Sequence, residues 1–322
     1  MIHGSLRFNK STCFLQAPHS SLNGTMIKLG CNAMLRVARN LPHPNKLDQR
    51  NWLDISTLIH QIRAWDLDFV DFQLFRGFQS RTLAYLRSIK ILCQQCGLPI
   101  GFLGVGSGFI KGEEIDGQIV GIPMSTTELR QSIDAVKEGI DLAAFMSAPL
   151  IRLFGGGIPK ESTNYKKLWQ NVIHSFQEVC DYAAGKGILV GLHNHVPVVA
   201  PTGDDILKIL HDVNRENFTF ILDTGWWQGS PGAGATGVTD PAIDFYDFMA
   251  QTAPHATYVR AKIYKIDSGK EEWLDYERII EILRTANYNG NMSIVFEGQE
   301  NEVGDLEAIS LAVTYLRRLL TT

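Results

Sequence analysis

Short apolar runs of strand length recur eight times along the chain, and segments with helical spacing separate them. The eight runs are 27–33, 69–74, 100–105, 150–154, 188–193, 218–223, 257–262 and 292–297. Apolar residues between them recur at intervals of three and four, as in Ile55, Leu58, Ile59 and Ile62, which is the spacing of a buried helix face. No linker rich in Pro, Gly or Ser divides the units. This alternation predicts a single α/β domain, a closed TIM (β/α)8 barrel, rather than a doubly wound sheet with a second domain.

The first 25 residues do not share this pattern. They mix Ser, His, Asn and Gly, contain no acidic side chain and show no apolar periodicity. We therefore expect residues 1–25 to form a poorly ordered N-terminal tail and residues 26–322 to form the barrel.

The charge balance limits the classes of partner. The chain has 30 Lys and Arg against 34 Asp and Glu, a net charge of −4, and lacks the basic excess that nucleic-acid binding normally requires. No apolar run approaches the roughly 18 residues of a membrane span, and the N-terminus lacks the apolar core of a secretory signal. We expect a cytoplasmic protein with a small-molecule substrate, no nucleic-acid or membrane partner, and a homo-oligomeric state left open.

Polar side chains occupy the predicted strand ends, where barrel enzymes build their active sites. This set consists of Gln73, Arg152, His193, His195, Asp223, Arg260, Lys262 and Glu297. Long loops follow the runs 100–105 and 218–223, and loops of such length usually cover a ligand. The sequence therefore predicts one shared site at the carboxyl end of the barrel.

Two histidines flank Asn194 at the end of the run 188–193. Because strand side chains alternate, His193 and His195 should point to one side and Asn194 away from it. With Asp223 and Glu297 they have the donor chemistry of a divalent-metal site for Mn, Mg, Zn or Co. Hydrogen bonding of the histidines within a polar barrel mouth remains the alternative.

Two cations, Arg260 and Lys262, share one face of the run 257–262. Buried cations need anionic partners, so a carboxylate, phosphate or enediolate oxygen of a ligand is one interpretation. An internal salt bridge to Asp223 or Glu297 is the other. Trp226 begins a Gly-rich loop, where its indole could hold a sugar ring or simply cap the core.

Several segments together are similar to a known group of proteins. They are 148–156 (APLIRLFGG), 183–195 (AAGKGILVGLHNH), 222–225 (LDTG), and the stretch from 275–276 (DY) through 293–294 (SI) with 296–298 (FEG). With these segments the chain, from about residue 26 to its end, resembles the xylose isomerase-like sugar phosphate isomerase/epimerase superfamily. The resemblance implies a TIM barrel, small polyol or sugar-like substrates, and a divalent metal held by Glu, Asp, His and Glu on the last four strands.

The chain departs from that pattern at the implied metal ligands. Where the family has Glu-Asn-His, this chain has His193-Asn-His195, and Arg260 replaces a histidine that precedes the lysine. Only Asp223 matches directly. Val295 stands at the implied position of the last glutamate, which leaves Glu297 as an auxiliary acid.

A second difference is that Trp226 replaces a histidine that usually follows the aspartate. The chain is thus a divergent member with altered metal ligands, and two interpretations stay open. Either His193, His195, Asp223 and Glu297 hold a metal, or the protein needs no cofactor because its own cations supply the positive charge.

The predicted reaction is proton abstraction next to a carbonyl of a small polyol or keto-sugar, giving isomerisation or epimerisation through an enediolate. His193 or Glu297 would be the base, Lys262 an electrophile and Asp223 an orienting carboxylate. Substrate-binding residues would be Arg152, His195, Trp226, Arg260 and Gln73. The alternatives are a catalytically impaired barrel that binds a sugar-like ligand and, more remotely, an endonuclease-like hydrolase.

Overall fold

Eight parallel strands close into a barrel, each followed by a helix on the outside. The computed structural model describes residues 27–37, 52–74, 76–106, 108–115, 118–155, 157–160, 164–195, 198–299 and 302–321, so the predicted tail 1–25 lies outside them. The barrel strands are β1 (Lys28–Asn32), β2 (Phe69–Gln73), β3 (Ile100–Gly106), β6 (Leu150–Phe154), β7 (Leu189–His193), β8 (Phe218–Asp223), β9 (Ala256–Ile263) and β10 (Asn291–Phe296), and β4 (Lys111–Ile115) with β5 (Gln118–Ile122) forms a separate hairpin. The helices are α1 (Ile55–Ala64), α2 (Leu83–Gln95), α3 (Thr126–Met146), α4 (Tyr165–Ala184), α5 (Gly203–Val213), α6 (Phe245–Thr252), α7 (Tyr276–Thr285) and α8 (Asp305–Thr321).

The order around the ring is β1-β10-β9-β8-β7-β6-β3-β2. The predicted single TIM barrel is therefore confirmed, with each of the eight predicted runs forming one barrel strand. The ring closes where β1 pairs with β10, in the register Lys28 with Asn291 and Cys31 with Ile294. Parallel register brings the carboxyl ends of all eight strands to one rim.

Local sequence signals explain where the helices begin. Thr202 caps α5 and exchanges reciprocal hydrogen bonds with Asp205, and Ser125 and Glu128 do the same at α3, so backbone groups without an intrahelical partner are satisfied. The apolar faces of the helices pack on the outer side of the strands in one large core. None of the helices in the described ranges is long and apolar enough to span a bilayer.

One pair of strands was not predicted. The loop after β3 contains the antiparallel hairpin of β4 and β5, in register from Lys111 with Ile122 to Ile115 with Gln118. All five residues of β4 are exposed, and the stretch carries Lys111, Glu113 and Glu114. Because both faces of β4 are exposed, this strand lacks the apolar alternation from which strands are recognised.

Candidate active site

The inward faces of the strands hold the polar side chains. On β9, Val259 and Ala261 pack in the outer core beneath the helices, so the intervening Arg260 and Lys262 point into the barrel. Both are buried. The floor below them is a small apolar cluster of Phe69, Phe102, Leu150, Ile221 and Tyr258. The polar groups therefore lie between this floor and the rim where the strands end.

His193 and Asp223 end the adjacent strands β7 and β8 and are almost fully buried. The distance from His193 Nε2 to Asp223 Oδ2 is 2.8 Å. Burial, followed by the charges of Arg260 and Arg152, lowers the pKa of His193 well below its ordinary value, so the imidazole is neutral. Since a carboxylate can only accept, Nε2–H donates and Nδ1 keeps its lone pair. That Nδ1 atom is buried and has no hydrogen-bond partner in the described part of the chain.

Further hydrogen bonds fix the position of Asp223. Its Oδ1 accepts from the backbone of Gly225 at 2.9 Å. Asn194 turns away from the two imidazoles: its Oδ1 accepts from the Asp223 backbone N–H at 2.7 Å, and its Nδ2 donates to the carbonyls of Asp223 and Trp226 at 3.1 Å. Asn194 thereby couples the end of β7 to the turn after β8.

The Lys262 ammonium lies between two carboxylates. Its Nζ is 3.5 Å from Asp223 Oδ2 and is in direct contact with Glu297 Oε1. Glu297 lies just beyond β10, whose last residue is Phe296, and is about one third exposed at the rim. The internal salt bridge considered for the two cations thus forms at Lys262. Arg260 makes no ion pair with any described residue.

Arg152 on β6 links Gln73 on β2 to the buried polar side chains described above. Its Nη2 donates to Gln73 Oε1 at the end of β2, and its guanidinium lies over the ring of Phe154, 4.0 Å from the centroid. The same Phe154 ring is stacked 5.4 Å from His193 and lies 4.9 Å from His195. Arg152 and the two histidines therefore meet around one aromatic ring, and Gln73 is joined to them through Arg152.

His195 and Trp226 stack on each other, with ring centroids 4.2 Å apart and planes at 9°. Burial, followed by the charge of Lys262, lowers the pKa of His195 well below its usual value. Trp226 also lines a cavity of about 720 Å³ with Ile158, Pro159, Val198 and Val199. One indole face is thus covered by His195, and a sugar-binding role for Trp226 stays a prediction.

Asp71 was not among the predicted site residues. It lies in the middle of β2, is fully buried, and its Oδ1 accepts from the Phe102 backbone N–H at 3.0 Å and from Tyr258 Oη at 2.7 Å. Burial raises the pKa of Asp71 to about 6. Alternation along β2 puts it on the face of Gln73 two residues on, a signal that attention to strand ends alone overlooked.

These donors do not fit a divalent ion as they are arranged. Within the residues that the structure covers, no group of three or more His, Cys, Asp or Glu side chains converges as metal ligands. Asp223 instead accepts from His193, and both Asp223 and Glu297 face the Lys262 ammonium. A cation already lies where a metal would need these oxygens.

The fold has known counterparts. A family model described as xylose isomerase-like TIM barrel matches residues 59–319. Among solved structures, D-psicose 3-epimerase from Clostridium cellulolyticum H10, determined with D-tagatose, has a TM-score of 0.63 and 13% identity, covering 92% of this chain and 100% of that one. A D-allulose 3-epimerase from Methylomonas sp. gives 0.62 and 16%, covering 92% and 98%.

A family 2 AP endonuclease from Brucella melitensis is similar to a comparable degree, with a TM-score of 0.60, 15% identity, and coverage of 90% and 99%. Comparison with curated protein sequences gives no match. Since epimerases and an endonuclease superpose equally well at these low identities, the likeness establishes the fold alone.

Proposed function

The chain belongs to the xylose isomerase-like TIM barrel family, and we propose that it is an isomerase or epimerase that removes a proton next to the carbonyl of a small polyol or keto-sugar. Two of the similar structures are epimerases of ketoses. The family alone does not select this chemistry, because function depends on the site rather than on the fold. The support comes from the side chains inside this barrel.

One observation carries the proposal: His193 is held by Asp223 through Nε2 and keeps an unpartnered Nδ1 within the described barrel interior. A base that is oriented by a carboxylate and has a free lone pair is the arrangement that proton transfer needs. Arg152, Arg260 and Lys262 are buried in the same interior. Their N–H groups can stabilise negative charge that develops on a substrate oxygen.

In the proposed step, Nδ1 of His193 takes the proton from the carbon next to the carbonyl. The C–H bond breaks, its electron pair forms the C=C bond of an enediolate, and the carbonyl electrons move to oxygen. The N–H donors of Lys262, which lies beside Asp223, stabilise that oxygen. Returning the proton to the other carbon, while the hydroxyl proton of the first carbon passes to the enediolate oxygen, gives isomerisation. Returning the proton to the opposite face of the same carbon re-forms the carbonyl and gives epimerisation.

Glu297 lies where a second acid or base could act on the substrate. Its carboxylate contacts the Lys262 ammonium and is about one third exposed at the rim. Epimerisation delivers a proton to the opposite face of the carbon, where a second acid can donate it, and a carboxyl group at the mouth can exchange protons with water. We assign this role to Glu297, and Asp223 holds His193 in the tautomer and orientation that leave Nδ1 free.

The test is exchange of solvent deuterium into D-fructose, D-tagatose and D-psicose, with and without added divalent metals, followed by NMR. We expect deuterium next to the carbonyl of at least one sugar. His193→Gln and Lys262→Met should each lower the exchange rate by at least about 100-fold, the usual size of a general acid–base contribution. His211→Gln, at a histidine whose side chain is 87% exposed, is the matched control and should exchange at the wild-type rate.

Two results would reject the assignment. Exchange that persists in His193→Gln would remove this residue as the base. No incorporation into any keto-sugar, combined with thermal stabilisation by one of them, would instead support a barrel that binds a sugar-like ligand without chemistry.

A further inference from the structure

Two arginines inside the barrel have N–H groups without acceptors. Arg152 on β6 and Arg260 on β9 are 5% and 4% exposed. Nε and Nη1 of each have no hydrogen-bond partner in the portion of the chain that the structure covers. Buried polar groups are almost always hydrogen-bonded, and a guanidinium does not escape the cost of burial by losing its proton. Four unsatisfied charged donors in one interior point to a bound anion.

The carboxylates of the interior do not supply that anion. Asp223 and Glu297 are engaged with Lys262. Asp71 uses Oδ1 for the Phe102 backbone and the Tyr258 hydroxyl. The three carboxylates equal the cations Arg152, Arg260 and Lys262 in number, but none of them forms an ion pair with either arginine among the described residues.

The aromatic contacts leave the guanidinium edges free. Arg152 lies over Phe154 at 4.0 Å, and Arg260 lies over Phe102 at 5.2 Å. Stacking covers the planar faces, and the N–H groups project from the edges, where a carboxylate binds in a bidentate manner. A Cβ at position 104 would lie 2.6 Å from Arg152 Nη2, so Gly104 leaves room for this guanidinium.

We propose that the substrate carries a carboxylate, which Arg152 and Arg260 bind, and that the substrate class is therefore a sugar acid, such as a uronate or a keto-aldonate. This inference rests on the proposed function only for the reaction, which takes place at the end of the substrate opposite its carboxylate. A carboxylate presents two oxygens to the arginine N–H groups and brings a single negative charge into an interior whose own charges balance, whereas a phosphate monoester would bring about 1.5 to 2 negative charges at pH 7. The carboxylate lies toward the arginines and the reacting carbons lie toward His193.

The experiment measures binding without turnover. D-Gluconate has a carboxylate and no carbonyl, and D-glucitol is its neutral counterpart of equal chain length. Isothermal titration calorimetry of the full chain with D-gluconate, D-glucitol and inorganic phosphate should give D-gluconate as the tightest ligand, by at least about tenfold. Arg152→Gln and Arg260→Gln should each weaken D-gluconate binding by about tenfold or more.

The control is Arg63→Gln, at an arginine that is 56% exposed on α1, and it should bind D-gluconate like the wild type. Equal affinity for D-gluconate and D-glucitol would overturn the proposal, and this comparison needs no variant to fold. Phosphate binding tighter than D-gluconate, or undiminished D-gluconate binding by both arginine variants, would also overturn it. D-Gluconate binding without deuterium exchange into any sugar, neutral or acidic, would reject the proposed function and leave this inference standing.

Discussion

Replacing Arg260 with methionine should make the ligand-free protein more stable. Arg260 is 4% exposed, and two of its guanidinium nitrogens lack partners among the described residues. Methionine fills a similar elongated space and has no N–H group to satisfy. Proteins retain such unfavourable groups at sites where a ligand compensates them, so stability and function should change in opposite directions.

The magnitude follows from three opposing contributions. Two unsatisfied buried donors cost about 1–3 kcal/mol each, and the substitution removes this cost. Against it stand the contact with the Phe102 ring at 5.2 Å, about 0.5–2 kcal/mol, and imperfect repacking with the loss of a charge near Asp71, about 1 kcal/mol. We expect a net gain of about 1–3 kcal/mol in the free energy of unfolding. For a chain of this length that corresponds to a Tm increase of about 2–5 °C.

The assay is thermal and urea unfolding followed by circular dichroism in buffer free of carboxylates. Arg63→Met on the exposed face of α1 is the control and should change stability by less than about 0.5 kcal/mol. If Arg260→Met lowers the free energy of unfolding by more than about 1 kcal/mol, then the guanidinium is a structural element of the barrel and its N–H groups are not waiting for a ligand anion.

Three further predictions concern the surrounding groups. Burial raises the pKa of Asp71 from 3.8 to about 6, so ionisation of this carboxyl group destabilises the folded state. The free energy of unfolding of the wild type, measured with urea, should therefore fall by about 3 kcal/mol as the pH rises from about 4 to about 6. Asp71→Asn should lose this part of the slope, and equal slopes would contradict the shift. Glu271→Gln should lower the free energy of unfolding by about 1–3 kcal/mol, since both carboxylate oxygens accept backbone N–H groups at 2.8–3.2 Å; unchanged thermal unfolding would refute it. Gly104→Ala places a Cβ against Gln73 Oε1 and 2.6 Å from Arg152 Nη2, so it should displace the Arg152 guanidinium, and calorimetry should show D-gluconate affinity reduced about tenfold. Wild-type affinity in this variant would show that Gln73 and Arg152 can shift without weakening D-gluconate binding.

The barrel could be predicted from the sequence because parallel strands buried on both faces appear as nearly continuous apolar runs. The polar residues near the rim of the barrel could also be picked out from the sequence. His193, Asp223 and Lys262 stand out as polar residues on apolar strands, and the structure brings them into contact. Strand alternation is a local rule, so it fixes which face a side chain takes before any tertiary contact is known.

The ion-pair partners of these buried side chains could not be predicted from the sequence. Arg260 and Lys262 are two residues apart on one strand, and only the lysine reaches Asp223 and Glu297. That difference depends on depth within the barrel and on distances across it, to which the sequence gives no direct access. Asp71 escaped prediction for a related reason, because a charge in mid-strand is costly unless its surroundings satisfy it, and those surroundings, Phe102 and Tyr258, come from other strands.

The pairing of β1 with β10 has a consequence for how the chain is made. Lys28 is synthesised 263 residues before its partner Asn291. Until then the nascent sheet has two open edges, which can associate with other chains. Contacts so distant in sequence also make folding slow. A nascent chain that stalls before residue 291 therefore lacks the strand that completes the cylinder, and biogenesis of this protein should depend on help from chaperones more than that of a helical bundle of equal length.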